Sequence, residues 1–336
     1  MTPLPVAFAA AAPPGAVFAA PAPRPVREGV PAGATAGPAV PGLAEGFVPQ
    51  GLAAAGGRAF VTHYDGGPGG RAARVSVTDL AAGTFLGSAA LRGPGGVPHR
   101  GHVGGAAALA GHLFVASDGS ILRFPLDPLT GGSAPPHLTA DRAVRCETNA
   151  DCCGTDPARN LWVGEFARYP SAVEYAGGAR VYPTAPAHHR TDRVGSKKYT
   201  WAVRYPGGDL AAGPDAVLSI RQKVQGPTFL PGTAVLSVSY GRNTVSKLAF
   251  YDDPTAGPAA HPDPPTVKFR GRAVPLFYLD GVNHRQTLTV PPMGEGVAPD
   301  PADPRRALWL TESGAAKYRT ELRTPVDVLL HIPVPR

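Results

Sequence analysis

The sequence predicts an all-β protein, a single β-propeller of five four-stranded blades around a central channel. The main observation is a fivefold repeat, in which a Gly-containing strand is followed by a short turn and an apolar strand. The 42 Gly and 40 Pro among 336 residues favour many turns and short strands over long helices. No apolar run approaches the roughly 18 residues needed to span a membrane as a helix.

The first strands of the five repeats are predicted at 49–53, 102–107, 149–153, 224–229 and 293–298. Their second strands follow at 59–65, 113–119, 161–166, 235–241 and 308–314. Third strands of near-alternating polarity are predicted at 74–80, 121–127, 199–205, 246–252 and 327–334, and fourth strands at 84–91 and 216–221. Six blades is the alternative, because the intervals after Cys153 and Gly226 are long, but neither contains another Gly-centred opening.

Residues 1–44 form an Ala/Pro-rich leader, and residues 45–336 form the predicted propeller. The leader resembles the apolar and cleavage regions of an export signal, although it has no basic start and Pro13-Pro14 interrupts it. We therefore expect a secreted or extracytoplasmic protein. The last repeat ends soon after its third strand, so part of residues 15–44 is a candidate for the strand that closes the ring.

The charged residues indicate no nucleic-acid partner. The net charge is +7, but the basic residues are scattered singly and lack interleaved aromatic residues. No motif for a nucleotide or a flavin is present, and we expect a monomer. Cys146, Cys152 and Cys153 lie within eight residues, which favours a disulfide from Cys146 to one of the other two; a zinc site lacks a fourth ligand.

Two sets of polar residues are predicted to meet at one mouth of the channel. In a blade, the start of the first strand and the end of the second lie at the same end of the channel. The first set comprises Gln50, Gly104 (with His102 before it), a residue of 149–151, Gln225 and Glu295. The second set comprises His63, Ser117, Glu165, Ser239 and Glu312.

Oxygen-rich side chains at a narrow mouth favour a hard divalent cation, Ca²⁺ above all. We expect the cation ligands to be Glu165, Glu295 and Glu312. A general base would be His63 or His102. The substrate, a small polar molecule, would contact Gln50, Gln225, Arg100 and Ser239. In the alternative interpretation these groups satisfy backbone N–H groups and hold ordered water. The insertion 168–198, which carries His188 and His189, is either a lid or a long surface loop.

Four segments carry a resemblance to known proteins: EGFVPQGL at 45–52, GHVGG at 101–105, LWVGEF at 161–166 and TESGAAKY at 311–318. Together they resemble a group of secreted bacterial, largely actinobacterial, β-propeller proteins, which implies the fold and export. At the level of fold, the chain is also similar to gluconolactonase-like and strictosidine-synthase-like propellers. That resemblance implies a channel-mouth cation held by Glu and Asn or Asp, but Gln50 and Gln225 stand where stronger ligands are expected.

The leading functional hypothesis is a cation-dependent hydrolase of a small lactone or ester. The first alternative is a non-catalytic secreted module that binds a carbohydrate or a protein. The second is a cyclase or lyase of specialised metabolism, which would need an apolar pocket with one or two polar groups. The sequence does not identify the substrate.

Overall fold

The strands form five blades of a propeller, each built on four consecutive strands of a sheet. This computed structural model describes residue 18, residues 29–257 and residues 261–335. The prediction of five four-stranded blades is confirmed. Most of the leader in which the export signal is predicted lies outside the described residues. None of the helices among the described residues has the length and apolar character to cross a membrane.

Each blade runs from an inner strand at the channel to an outer strand. The strands of blade 1 are Phe47–Ala55, Arg58–Asp65, Arg74–Asp79 and Phe85–Arg92. Those of blade 2 are Gly105–Leu109, His112–Ser117, Ser120–Pro125 and Arg142–Arg145. Those of blade 3 are Cys152–Thr155, Leu161–Gly164, Thr200–Tyr205 and Ala216–Ile220. Those of blade 4 are Val224–Leu230, Thr233–Val238, Ser246–Asp252 and His284–Val290. Those of blade 5 are Gly294–Pro299, Arg306–Thr311, Val328–Pro333 and Thr35–Ala39.

The outer strand of blade 5 comes from the N-terminal part of the chain. Thr35–Ala39 pairs antiparallel with Val328–Pro333, so the two ends of the propeller are hydrogen-bonded to each other within one sheet. Its position falls in the stretch 15–44 that the sequence analysis considered for this role. Such a closure joins the last blade to the first and leaves the ring without a gap.

Additional elements lie outside the four-stranded blades. His137–Thr139 pairs parallel with the outer strand of blade 1, and Arg272–Tyr278, hairpin partner of Thr266–Phe269, pairs parallel with that of blade 3. The insertion of blade 3 contains a short hairpin, Arg190–Thr191 with Lys197–Lys198. The α-helices are Asp127–Thr130, Ala172–Ala176 and Ala316–Arg319, and the 3₁₀ helices are Pro94–Gly96, Pro186–His188 and Pro206–Gly208.

The core consists of five apolar layers, one between each pair of neighbouring blades. Alternate side chains of a strand face opposite neighbours, which is why the strands read as largely apolar runs. Between blades 3 and 4, the Trp162 and Phe229 rings stack with their centroids 4.9 Å apart. Between blades 4 and 5, the Trp309 indole donates a hydrogen bond to Ser237 Oγ at 3.2 Å.

Glycines bring the inner strands into close contact around the channel. A Cβ atom at Gly51 would lie 2.5 Å from the Ala106 nitrogen of blade 2, and one at Gly296 would lie 2.5 Å from the Leu52 nitrogen of blade 1. The other members of this glycine ring are Gly105, Gly154 and Gly226, each facing the inner strand of the next blade. Only a residue without a side chain permits this approach, which explains the Gly-centred motif.

The predicted disulfide is wrong, because all three cysteines are free thiols. Cys152 and Cys153 are neighbours in an extended strand and face opposite sides of blade 3, so they pack in different core layers. Cys146 packs at the edge of the layer that holds Cys153, but the two sulfurs are directed to different carbonyl groups, Val144 O and Phe114 O.

Thiol counting tests this correction. Burial raises the pKa of Cys146 to about 11 and raises those of Cys152 and Cys153 further, so the folded protein should react slowly with a thiol reagent. In denaturant without reductant, we expect all three cysteines to react. A protein that shows a single reactive thiol under those conditions contains a disulfide.

Candidate functional site

One mouth of the channel opens into a cavity of about 590 Å³, a size typical of small-molecule sites. Farther along, the channel narrows to about 10 Å³ between small apolar side chains such as Ala53 and Ala107, about the volume that one water molecule requires. The cavity is therefore the wide part of the channel, where a small molecule has room to bind.

The first predicted set of polar residues lines this cavity. Its members are Gln50, Gly104, Asp151, Gln225 and Glu295, one from the start of each inner strand. The inner strands of blades 1, 4 and 5 each have a bulge at this point. A β-bulge redirects side chains out of the regular alternation, so the residue before the close-packed glycine faces the channel mouth.

The second predicted set is only partly assembled. Ser239 and Glu312 line the cavity, but His63, Ser117 and Glu165 do not. Of the predicted residues outside this set, His102 lines the cavity and Arg100 does not. Arg100 is exposed on a loop, where its Nε donates to Gly70 O at 2.6 Å. Arg100 thus lies outside the cavity that Gln50, Gln225 and Ser239 line.

Glu295 and Glu312 form a pair of interacting carboxyl groups on blade 5. Glu295 is 4 % exposed and has no hydrogen-bond donor among the described residues. Burial, with the nearby Glu312 charge, raises the pKa of Glu295 well above its usual range. Glu312 Oε2 accepts a hydrogen bond from Gln50 Nε2 at 3.1 Å. Burial raises the pKa of Glu312 to about 7, although the charges of Lys317 and Arg242 oppose the rise.

A third carboxyl group with a raised pKa lies across the cavity on blade 3. Asp151 Oδ2 accepts a hydrogen bond from the Phe166 N–H at 2.7 Å. Burial raises the pKa of Asp151 to about 7, with the charges of Glu165 and Asp118 adding to the effect. Around neutral pH the cavity therefore holds carboxyl groups in both protonation states, the arrangement that acid–base chemistry requires.

Aromatic rings form a large part of the cavity wall. Phe166 and Tyr182 meet edge to face with centroids 5.5 Å apart, and Tyr240 lies within 6.1 Å of both. Tyr182 belongs to the insertion 168–198, so this segment does contribute to the site. Arg242 lines the rim, where it pairs with the exposed Glu321 and lies 5.0 Å from the Tyr318 ring.

Tyr318 is held by a chain of hydrogen bonds. Its hydroxyl lies 3.0 Å from the Tyr64 hydroxyl, which accepts a hydrogen bond from Lys317 Nζ at 3.3 Å. The His102 ring packs on Tyr64 at 4.5 Å. Desolvation lowers the pKa of His102, and Lys317 adds to the effect against the charge of Asp118. His102 is thus a neutral imidazole at neutral pH and keeps its capacity to accept a proton.

The structure does not bring the three predicted cation ligands together. Glu165 is fully buried, and its Oε1 accepts hydrogen bonds from His188 Nδ1 at 2.7 Å and from the Trp201 N–H at 2.9 Å. His188 in turn stacks on Trp201. Glu165 therefore anchors the blade 3 insertion instead of facing the channel. Within the described residues, no three His, Cys, Asp or Glu side chains converge as metal ligands.

His63 lies on the face of blade 1 that is turned away from blade 2, because side chains alternate along the strand and Thr62 faces blade 2. The Thr62 hydroxyl donates a hydrogen bond to Val103 O and accepts one from the Gly51 N–H, both at 2.9 Å. His63 Nε2 lies 2.8 Å from Ser76 Oγ, and its ring packs against Phe18. Burial, with the Arg74 charge, lowers the pKa of His63 to about 3.

This buried imidazole should make the fold acid-sensitive. Unfolded histidine takes up a proton below about pH 6.5, whereas folded His63 stays neutral to about pH 3. Stability is therefore lost as the pH falls through this range, on the order of 2–3 kcal/mol from this residue by about pH 4.5. Urea denaturation at about pH 7 and about pH 4.5 should show a smaller loss in His63→Gln than in the wild type. Equal losses in both proteins would contradict the assignment.

Several cavity residues are missing from the predicted site. Asp118 and Tyr240 directly follow the predicted residues Ser117 and Ser239, so counting one residue further along those strands would have included them. Arg242 lies just after the predicted strand 235–241. Tyr318 lies in the segment 311–318 that carries the family resemblance. Tyr182 comes from the insertion, where no repeat indicates its position.

Comparisons with known proteins agree with the fold. No protein-family model matches the chain, and no curated protein gives a significant match. Glutaminyl cyclase of Myxococcus xanthus shares 11 % identity, with 93 % of this chain and 100 % of that chain covered and a TM-score of 0.44. A putative oxidoreductase (glucose dehydrogenase) of Thermus thermophilus shares 14 %, with 89 % and 100 % covered and a TM-score of 0.43. The calcium-binding protein regucalcin of Agrobacterium tumefaciens shares 13 %, with 86 % and 93 % covered and a TM-score of 0.42.

These three are β-propeller proteins, so the predicted likeness to propellers is confirmed at the level of fold. The resemblance to a secreted actinobacterial group stays a prediction. The chain's own strand pairing and cavity define it as a five-bladed propeller with a polar and aromatic cavity at one mouth of its channel. Its function is argued below from the cavity alone.

Proposed function

We propose that this protein is an enzyme that performs acid–base chemistry on a small polar molecule in the channel-mouth cavity, with Glu295 and Glu312 transferring the protons. The observation that carries the proposal is the placement of Glu295. It is buried, it lines the cavity, and no described residue donates a hydrogen bond to it. A buried carboxyl group without a partner is costly to the fold, and such groups are concentrated at functional sites.

The pair suits hydrolysis of a lactone or an ester, the reaction that the sequence analysis favours. No described residue donates a hydrogen bond that would stabilise the ionised form of Glu295, and burial beside Glu312 raises its pKa. Glu295 is therefore the proton donor, acting on the oxygen of the bond that breaks. Glu312, oriented by Gln50, is the base that takes a proton from the attacking water. Water thus adds across the C–O bond, giving a carboxylic acid and an alcohol, and the two carboxyl groups exchange protonation states.

The predicted cation does not fit the side chains that would have to hold it. Of the three predicted ligands, Glu165 is committed to His188 and Trp201. Asp118 and Asp151 also line the cavity, but within the described residues no three His, Cys, Asp or Glu side chains converge as Ca²⁺ would require. The proposed steps therefore use the protein's own groups, and His102 replaces His63 as the imidazole that lines the cavity.

A panel of lactones and esters tests the proposal. We expect turnover by the wild type, persistence of that turnover after treatment with chelator, and loss of turnover in Glu295→Gln. Asp263→Asn is the matched control, because Asp263 is exposed and lies outside the cavity. Activity lost with chelator and restored by Ca²⁺ would favour the cation instead. Full activity in Glu295→Gln would reject the carboxyl pair.

The second candidate function is carbohydrate binding without catalysis. It is favoured by the ring cluster of Phe166, Tyr182 and Tyr240 beside hydrogen-bonding groups, since aromatic faces pack on apolar ligand surfaces. A protein that binds sugars in calorimetry, loses this binding in Tyr182→Ala and shows no turnover on the panel would support this candidate. The cyclase or lyase alternative fits less well, because the cavity carries many polar groups.

A further inference from the structure

We propose that the cavity selects small molecules that carry an ammonium group. The inference extends the proposed function, since the ammonium group would belong to the ester or lactone that is hydrolysed. It rests on three features of the cavity: an excess of carboxyl groups, an unpartnered buried carboxyl group and an aromatic wall.

The cavity has the opposite charge balance to the rest of the chain. The protein has a net charge of +7, yet four carboxyl groups line the cavity: Asp118, Asp151, Glu295 and Glu312. The guanidinium that lines the cavity is that of Arg242, which is paired with the exposed Glu321 at the rim. A focused negative field in a basic protein attracts cations to one place.

The unpartnered state of Glu295 is independent of this charge count. Gln50, its neighbour in the first set of polar residues, does not donate a hydrogen bond to Glu295. The Gln50 amide donates its hydrogen bonds to Glu312 and to the Pro49 carbonyl. An ammonium group supplies what is missing: one N–H can donate to the carbonyl oxygen of Glu295, which keeps its proton, while the ionised forms of Glu312 and Asp151 balance the positive charge. A charge-assisted hydrogen bond to a buried carboxylate is among the stronger polar contacts in proteins.

Two rings of the aromatic wall already pack against arginines of the protein. Arg168 lies 4.2 Å from the centroid of Tyr240, and Arg180 lies 4.8 Å from that of Tyr182. Phe166 lines the cavity with no cation from the described residues over its ring. An aromatic face that a ligand cation can approach, next to carboxyl groups, is the usual composition of an ammonium site.

Binding of a cation should release protons. The groups that face the site are the four carboxyl groups, His102, Arg242, and the hydroxyls of Tyr318, Tyr182 and Tyr240, with Lys317 and Tyr64 behind Tyr318. A nearby positive charge favours the ionised carboxylates and lowers their pKa values. Since Asp151 and Glu312 have pKa values of about 7 before binding, affinity should rise as the pH increases through 7.

Calorimetry with ethanolamine, which carries N–H donors and a positive charge, and with its neutral carbon isostere propan-1-ol tests the inference. We expect ethanolamine to bind at least about tenfold more tightly than propan-1-ol. Runs in buffers of different ionisation enthalpy should show proton release near neutral pH. Binding should weaken at least about tenfold in a Glu295→Gln/Glu312→Gln double variant and remain unchanged in Asp263→Asn. Because the double variant alters a buried pair, Asp151→Asn serves as a second test, with thermal melting to show that each variant is folded.

The inference is overturned if propan-1-ol binds as tightly as ethanolamine, if ethanolamine does not bind, or if Ca²⁺ alone binds. Its failure is distinguishable from that of the proposed function. Turnover of neutral esters without preference for ammonium compounds would reject the inference and keep the enzyme. Ammonium binding without turnover on any ester would keep the inference and reject the hydrolase.

Discussion

Replacing Gly154 by valine should prevent the propeller from folding. A Cβ atom at Gly154 would overlap the Pro227 carbonyl oxygen on the inner strand of blade 4, and valine adds two further methyl groups. The inner strands cannot move apart locally, because the ring is closed by the Thr35–Ala39 strand. The expected loss exceeds about 4 kcal/mol, a large share of the roughly 5–15 kcal/mol that stabilises a domain. Urea denaturation followed by tryptophan fluorescence measures it.

Gly132→Val is the matched control for this substitution. No atom lies within 4 Å of a Cβ built at Gly132, and the residue is exposed. The same chemical change should therefore alter stability by no more than about 0.5 kcal/mol. If the two variants unfold at the same urea concentration, close packing of the inner strands is not what the glycines provide.

Glu295→Gln should lower kcat on the lactone or ester that the protein hydrolyses by about 10²- to 10⁴-fold, the usual range for loss of a general acid. The substitution keeps the size of the side chain and removes the transferable proton. KM should change less than kcat, since the interaction is made mainly as charge develops on the leaving oxygen.

The pH dependence separates this role from a structural one. In the wild type, rate against pH should rise as Glu312 ionises near 7 and fall as Glu295 loses its proton at higher pH. In Glu295→Gln the fall on the alkaline side should disappear from the residual activity. A residual profile that keeps the wild-type shape would show that Glu295 is not the acid.

The sequence predicts the fold because each blade repeats a local pattern. The Gly-centred opening is local, and so is the polar residue before the glycine, which is why Gln50, Gln225 and Glu295 are placed correctly in the cavity. Predicting these positions does not require contacts between residues that are distant in the sequence. The bulge that redirects them arises where the close-packed glycine begins.

The second set of polar residues shows where this reasoning ends. The second strands end in different ways, so equivalent positions in their sequences do not all face the cavity. His63 lies on the face opposite to Thr62, and Glu165 is hydrogen-bonded to His188, which is 23 residues away. Tyr182 reaches the cavity through the insertion. Such contacts depend on loop paths that no local pattern encodes, and the cysteine spacing likewise gave no sign that the thiols face different core layers.

The most direct test of the account is a pH titration of the protein labelled with ¹³C at the glutamate side-chain carboxyl groups, followed by NMR. The chain has only eight glutamates, and the signals of Glu295 and Glu312 are assigned from their absence in Glu295→Gln and Glu312→Gln. We expect Glu295 to remain protonated at neutral pH and Glu312 to titrate near 7, whereas an ordinary glutamate has a pKa of about 4.3. If both signals show ionised carboxylates by about pH 5, the acid–base pair does not exist.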